Sequence, residues 1–239
     1  MARHGITTPC QPIIMALENS GMCGSIALVS PGLCVAESSL TISATHSKRL
    51  MDSVAAMLRE SGLDWPAIDA IAVSLGPGSF TGLRISLAAA KGLSMAAGKK
   101  LIGIPTLDGL AAQLRTNLLL CPLIDARKNQ IYTALYRWQE EKCQRLSSYM
   151  AVSPEELSAK IKEPVIFIGD GGVLYHDILQ DKLPDLANFA DPAIFFPRAA
   201  TIGSLAVHHW QNNNFLDPAN AVPLYIRASD AEKMKKQAG

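Results

Sequence analysis

The stretch Ser74-Leu-Gly-Pro-Gly-Ser-Phe-Thr-Gly-Leu-Arg84 decides the reading of this chain. It leaves an apolar run over 68–75, turns through glycine, and enters a long apolar segment over 79–97. A strand, a Gly-x-Gly turn and a helix N-terminus bring backbone N–H groups together, an arrangement that suits an anion. Gly76, Gly78 and Gly82 are spaced G-x-G-x-x-x-G, one residue wider than the dinucleotide fingerprint. No Gly-Lys-Ser/Thr follows, so the turn is not a Walker A loop. Glycine is equally the default where a tight strand-to-helix connection serves no ligand. On the sequence both readings stand.

Working outward, the first half predicts strands over 13–18, 23–30 and 33–42, then an amphipathic helix over 45–60 carrying Leu50, Val54, Met57 and Leu58. After the glycine turn and helix 79–97 come a strand over 100–104 and a helix over 106–115. The second half repeats this opening. Leu123-Ile-Asp-Ala-Arg-Lys-Asn-Gln-Ile-Tyr-Thr-Ala-Leu135 has the layout of Ala16-Leu-Glu-Asn-Ser-Gly-Met-Cys-Gly-Ser-Ile-Ala-Leu28, with Asp125 at the place of Glu18. Val165-Ile-Phe-Ile-Gly-Asp-Gly-Gly172 matches Ala72-Val-Ser-Leu-Gly-Pro-Gly78, which aligns Gly169 and Gly171 with Gly76 and Gly78. Two correspondences in the same order predict an internal duplication of a β-β-β-α-β-α unit. The expected lobes are 1–116 and 117–239. A duplicated unit whose first strand ends in an acid describes the actin-like, ribonuclease H-like α/β architecture. There two acid-bearing hairpins face a nucleotide cleft; the acids position magnesium and water, and turn amides hold phosphates.

The bulk numbers exclude several classes. With 22 Lys and Arg against 21 Asp and Glu, the net charge of +1 gives no general drive toward nucleic acid or membrane. Five cysteines, an odd number without a C-x-x-C, read as reduced thiols in a cytoplasmic protein. The segment 1–12 lacks the apolar core of a signal peptide. Arg84 and Lys91 interrupt the apolar segment 79–97, which makes it a poor membrane span. His208 and His209 are adjacent and diverge on a helix, while His4, His46 and His176 are isolated, so no metal site is expected. No H-E-x-x-H and no G-x-S-x-G supports a glycoprotease-like hydrolase.

The run from Ile71 to Leu93 closely resembles the bacterial tRNA threonylcarbamoyladenosine biosynthesis family TsaB, also called YeaZ. His46-Ser-Lys-Arg-Leu50, Ile104-Pro-Thr-Leu-Asp108, Ile124-Asp-Ala-Arg-Lys128 and Pro223-Leu-Tyr-Ile-Arg227 fit in order, so the resemblance spans nearly the whole chain. It implies two actin-like lobes without catalysis of their own. The implied partners are TsaD, the paralogue that transfers threonylcarbamoyl to adenosine 37 of tRNA, and the ATPase TsaE. It also implies a homodimer when the chain is alone, tRNA met indirectly through the complex, and no tightly bound cofactor, with ATP only at a complex interface. TsaD carries an H-x-x-x-H metal pair where this chain has Thr106 and Leu110. The family's first strand ends Asp-Thr-Ala or Asp-Thr-Ser, where this chain has Glu18-Asn19-Ser20.

These readings assign no catalytic residue and no metal ligand. Helix 79–97, with a small-residue stripe of Gly82, Ser86, Ala89 and Ala96, is the expected partner surface. Ser79, Phe80, Arg84 and Lys91 join it, together with His46 and Leu50 from helix 45–60. Glu18, Gly76, Gly78, Asp125, Arg127, Gly169 and Gly171 would line a vestigial nucleotide cleft. Arg127 and Lys128 would meet a phosphate or an acidic neighbour there, or form a solvated turn. The contrasting class is an active actin-like ATPase or small-molecule kinase using Glu18, Asp125 and both glycine turns.

Overall fold

The computed structural model describes residues 11–41 and 46–227. His4, Cys10, the His46 side chain and the basic residues Lys233, Lys235 and Lys236 lie outside the described residues. The first half folds as β1 (Ile14–Glu18), β2 (Cys23–Ser30), β3 (Leu33–Thr41), α1 (His46–Ser61), β4 (Ala70–Gly76), α2 (Phe80–Ala97), β5 (Lys100–Pro105) and α3 (Thr106–Ala112). The second half opens with β6 (Leu119–Arg127), β7 (Gln130–Thr133), β8 (Tyr136–Gln139), β9 (Lys142–Arg145), β10 (Met150–Val152) and α4 (Pro154–Ser158). It continues through β11 (Val165–Ile168), α5 (Asp170–Leu174), α6 (His176–Lys182), β12 (Ala187–Phe189) and α7 (Ala199–Gln211). Helix α3 ends earlier than its expected bound at 115.

The duplication is visible in the sheets. The first has the order β3-β2-β1-β4-β5, and the main path of the second is β10-β7-β6-β11-β12. In each, the opening strand pairs antiparallel with its hairpin partner and parallel with the strand that ends at the glycine turn. The β8–β9 hairpin is extra to the repeat. It joins the second sheet through Leu120 and Tyr136.

Both faces of the first sheet are covered, which explains why its central strands read as continuous apolar runs. Met15, Leu17, Ile26, Leu28, Ile71 and Val73 pack under α1 and α2. The alternate residues Ile14, Ala16, Ala27, Val29, Ala70 and Ala72 pack against Ala199, Ile202, Ala206 and Val207 of α7. The second sheet buries Leu119, Cys121, Leu123, Val165 and Phe167 with Leu157 and Leu179 on one face. On the other face Leu120, Ile124 and Ile168 meet Leu107, Leu110 and Ala111 of α3. Each half therefore lends its last helix to the sheet of the other. The N-terminus of α7 is held by that foreign sheet: Ala199 N–H donates to Ser25 Oγ at 2.9 Å and Ala200 N–H to Glu37 Oε1 at 3.0 Å. These are two of the donors that a helix N-terminus leaves open, and Arg198 pairs with the same Glu37.

Among the described residues no helix is long and apolar enough to cross a membrane. Cys23, Cys34, Cys121 and Cys143 are free thiols on strands.

Candidate functional site

The first hairpin turn and the start of α5, which follows the second glycine turn, meet between the lobes. The space between them is small. Ser20 and Gly21 of the first hairpin face Ile124 and Asp170 of the second lobe, with Leu110 and Phe195-Phe196-Pro197 between them. The cavity left is about 10 Å³, room for roughly one water molecule.

Three donors of the first glycine turn are bonded internally. Ser79 N–H donates to the Ser20 carbonyl at 2.6 Å, Gly76 N–H to Thr106 Oγ1 at 3.1 Å, and Gly82 N–H to Ser79 Oγ at 3.3 Å. A Cβ at Gly78 would stand 2.3 Å from the Ser20 carbonyl oxygen, and one at Gly169 of the second turn 2.3 Å from that of Leu123. Both turns are tight connections pressed onto the strand hairpin beside them. The Ser79 side chain caps α2, and Gly98 closes it in the left-handed conformation.

Glu18 is fully buried at the end of β1. Its Oε1 accepts from Ser20 N–H at 2.6 Å and from the Ser20 hydroxyl. The carboxylate thus folds back onto its own turn, as Asp125 does in the second lobe. Burial raises the carboxyl pKa, against the lowering effect of the Ser20 and Ser74 hydroxyls. Glu18 Oε2 and Ser74 Oγ are buried, and each lacks a well-formed hydrogen bond among the described residues. In the second lobe, Asp170 Oδ1 accepts from Asp125 N–H at 3.1 Å, and burial raises its pKa. Asp125 Oδ1 accepts from Arg127 N–H at 2.8 Å, and the Arg127 guanidinium lies 3.3 Å from the same carboxylate. Of the residues expected to line a nucleotide cleft, Glu18, Gly76 and Gly78 are thus engaged within the first lobe, and Asp125, Arg127, Gly169 and Gly171 within the second.

Thr106 and Leu110, which stand where the paralogue carries its histidine pair, both have structural work. The Thr106 hydroxyl holds the Gly76 amide, and Leu110 packs against the second glycine turn at Gly169. No group of three or more His, Cys, Asp or Glu suited to a metal occurs among the described residues.

The expected partner surface divides in two. Gly82 and Ser86 are buried inside the first lobe, and Ala89 packs on its core. The Ser86 hydroxyl donates back to the Gly82 carbonyl at 3.1 Å. Leu50 also packs on that core. The outward face of α2 is instead Thr81, Arg84, Ala88, Gly92, Met95 and Ala96. Beside it lie the exposed Met51 and Ala55 of α1. Arg84 and Lys91 are engaged within the chain by the segment that follows α7. Lys91 Nζ donates to the carbonyls of Ala219 and Ala221 at 3.3 and 3.2 Å. Arg84 lies over the Phe80 ring at 3.7 Å and donates to Tyr225 Oη at 3.2 Å. Sequence reasoning missed this strap, although the Pro223-Leu-Tyr-Ile-Arg227 motif marked its position.

Sheet order, reciprocal helices and paired hairpins define a two-lobed actin-like protein. The family model described as "TsaD: tRNA N6-adenosine threonylcarbamoyltransferase" matches residues 40–235. The TsaB protein of Bacillus subtilis is 28% identical over 92% of this chain and 96% of its own length. The TsaB protein of Escherichia coli is likewise 28% identical over 92% and 96%. The solved structure of YeaZ from Pseudomonas aeruginosa superposes with a TM-score of 0.78 at 26% identity, covering 90% of this chain and all of that one. The chain belongs to the TsaB (YeaZ) branch of this family.

Proposed function

We propose that this chain is a non-catalytic subunit in the formation of threonylcarbamoyladenosine in tRNA, acting in the cytoplasm as a scaffold and activator of TsaD. The relatives' names carry the pathway: they are tRNA threonylcarbamoyladenosine biosynthesis proteins. One observation supports a scaffold over an enzyme. Where the first hairpin turn meets the second lobe, Phe195-Phe196-Pro197 lines a cavity too small for a nucleotide, and the Gly76 and Ser79 amides of the adjoining glycine turn are bonded within the protein. A nucleotide needs a pocket of several hundred Å³, and the cavity at this junction is about 10 Å³. ATP, where it acts in this reaction, belongs at an interface with TsaD or TsaE, and the tRNA is brought chiefly by TsaD.

The partner surface in this reading is the outward face of α2 with the adjoining edge of α1. Arg84, Ala88, Gly92 and Ala96 recur every four residues, and three of them are small, so another helix can approach closely. Met51, Phe80 and Met95 are exposed on these helices and supply adaptable apolar area. The same face is suited to a homodimer when the partner is absent.

The test is co-purification of the full chain with TsaD of the same organism, with the threonylcarbamoyladenosine content of tRNA read in cells depleted of the chain. Association with TsaD and loss of the modified base on depletion are expected. A chain that does not associate, or whose depletion leaves the modification intact, overturns the reading.

A further inference from the structure

The tip of the β6–β7 hairpin is built unlike any other turn among the described residues. Arg127, Lys128 and Asn129 all have positive φ, at 61°, 55° and 55°. Arg127 pairs with Gln130 across the hairpin, so Lys128 and Asn129 are the central residues of a two-residue turn with left-handed backbone at both positions. Such turns favour Asn-Gly, because a non-glycine side chain is disfavoured in this conformation. Asn129 suits its place. Arg127 and Lys128 do not, and the register shift between Asp125 and Arg127 adds a bulge that re-aims the strand end. The hairpin therefore holds two long cations at a tip where local preference calls for small residues.

A third cation reaches the same place from the far end of the chain. Arg227 Nη1 donates to Gln130 Oε1 at 2.6 Å, and Gln130 is the cross-strand partner of Arg127. Arg127 Nη1 pairs with Asp125 Oδ2 at 3.3 Å, which leaves the other guanidinium N–H groups to reach outward. The Asp125 side chain is only 14% exposed, against 87% for Arg127, and Asp170 is mostly buried. Arg127 is thus the exposed member of its ion pair, on a protein of net charge +1.

We infer that this tip is a contact site for the phosphate backbone of RNA, with Arg127 and Arg227 as its guanidinium donors and Lys128 beside them. Guanidinium forks match phosphate oxygens in pairs. A turn that fixes its side chains positions a backbone without reading its sequence. The choice of RNA as the polyanion rests on the proposed role in tRNA modification. The cation cluster itself does not.

Fluorescently labelled tRNA is titrated with the full chain, alone and mixed with TsaD, over a series of salt concentrations. The variants are Arg127→Gln, Arg227→Gln, the double variant, and Arg127→Lys as a charge-retaining control. Wild type is expected to bind in the non-specific range, about 10⁻⁴ to 10⁻⁶ M. Each glutamine variant should lower the slope of log K against log[salt] by about 1, with Arg127→Lys restoring it. Melting temperatures within about 2 °C of wild type separate lost contact from lost fold. Arg127→Gln serves if Arg227→Gln loosens the hairpin. Unchanged affinity and slope in the double variant overturns the inference. So does displacement of the RNA by polyglutamate at equal charge, which would make the tip a site for acidic protein. A chain that binds TsaD while its tip variants bind tRNA like wild type refutes this inference and leaves the proposed function standing. A chain that ignores TsaD but loses slope with these variants does the reverse.

Discussion

The carbonyl oxygen of Asn19 occupies the space where a side chain at position 82 would begin: a Cβ on Gly82 would stand 2.0 Å from it. Asn19 Nδ2 also donates to the Gly82 carbonyl at 3.3 Å. The first turn of α2 is thus docked backbone to backbone on the turn between β1 and β2, and Gly82 belongs to the inside of the fold.

Gly82→Ala should therefore destabilise the protein, although alanine is the better helix former by about 1 kcal/mol. Overpacking costs about 1–3 kcal/mol and more where backbone must move. For a chain of this size that lowers Tm by several degrees, at about 2–4 °C per kcal/mol. Calorimetry of the two proteins reads the difference directly. A variant that melts with wild type would mean that α2 can lift from the hairpin at little cost.

Glu18 carries a pH dependence whose sign follows from its burial. Its carboxyl pKa is raised above the ordinary 4.5, so the folded state holds this proton more tightly than the unfolded chain does. The stability it contributes is complete below about pH 4.5 and is lost as pH rises through the raised folded value. Glu18→Gln removes that loss. Its amide oxygen can still accept from Ser20, and its NH₂ can donate to the Ser74 hydroxyl oxygen. The variant should match wild type near pH 4 and exceed it in Tm by a growing margin toward pH 8. A margin that stays flat from pH 4 to pH 8 would show that Glu18 does not titrate with folding.

The duplication is legible in the sequence because its signals are local. Two apolar strands end in acids, and two buried strands break at glycine. What lies beyond reach is non-local. The α7 segment reads as an apolar helix, but its destination on the first sheet is fixed by Ser25 and Glu37, more than 160 positions away. Short strands such as β9 and β10 carry no periodicity that separates them from loop. The phase of α2 is hidden for a related reason. Alanine, glycine, serine and leucine run all round this helix, so the pattern does not say which face turns inward. The stripe at 82, 86 and 89 and the stripe at 84, 88, 92 and 96 look alike until Gly82 is seen against Asn19.

Nucleotide binding is expected to fail in the isolated chain. Magnesium-ATP at millimolar concentration should give no saturable heat in calorimetry and no turnover, because the cavity beside the hairpin turns is about 10 Å³ and the Gly76 and Ser79 amides are bonded within the protein. Stoichiometric binding, lost on Asp125→Ala, would mean that Phe195-Phe196-Pro197 swings away and that the cleft is functional.

The outward face of α2 gives the most direct test of the partner surface. Ala88 is exposed on it, and Gly92 lies one turn further along, where an added Cβ would meet nothing within 4 Å. Ala88→Glu and Gly92→Glu therefore meet no clash in the isolated fold, and surface changes of this kind stay within about 0.5 kcal/mol of wild type. Gly92→Glu gains helix propensity besides. At a close helix contact the same substitutions bury a charge and force the partner away. Added bulk alone costs about 1–3 kcal/mol, or roughly five- to over a hundredfold in affinity. The expected result is a pair of variants that melt normally, elute as monomers in light scattering, and recover little TsaD on co-purification. Modified adenosine should fall in parallel in cells that carry only the variant. Gly82→Ala is the control, since its defect should follow its melting temperature. If Ala88→Glu and Gly92→Glu bind TsaD and support modification at wild-type levels, this face is not the contact, and the surface must be sought elsewhere on the first lobe.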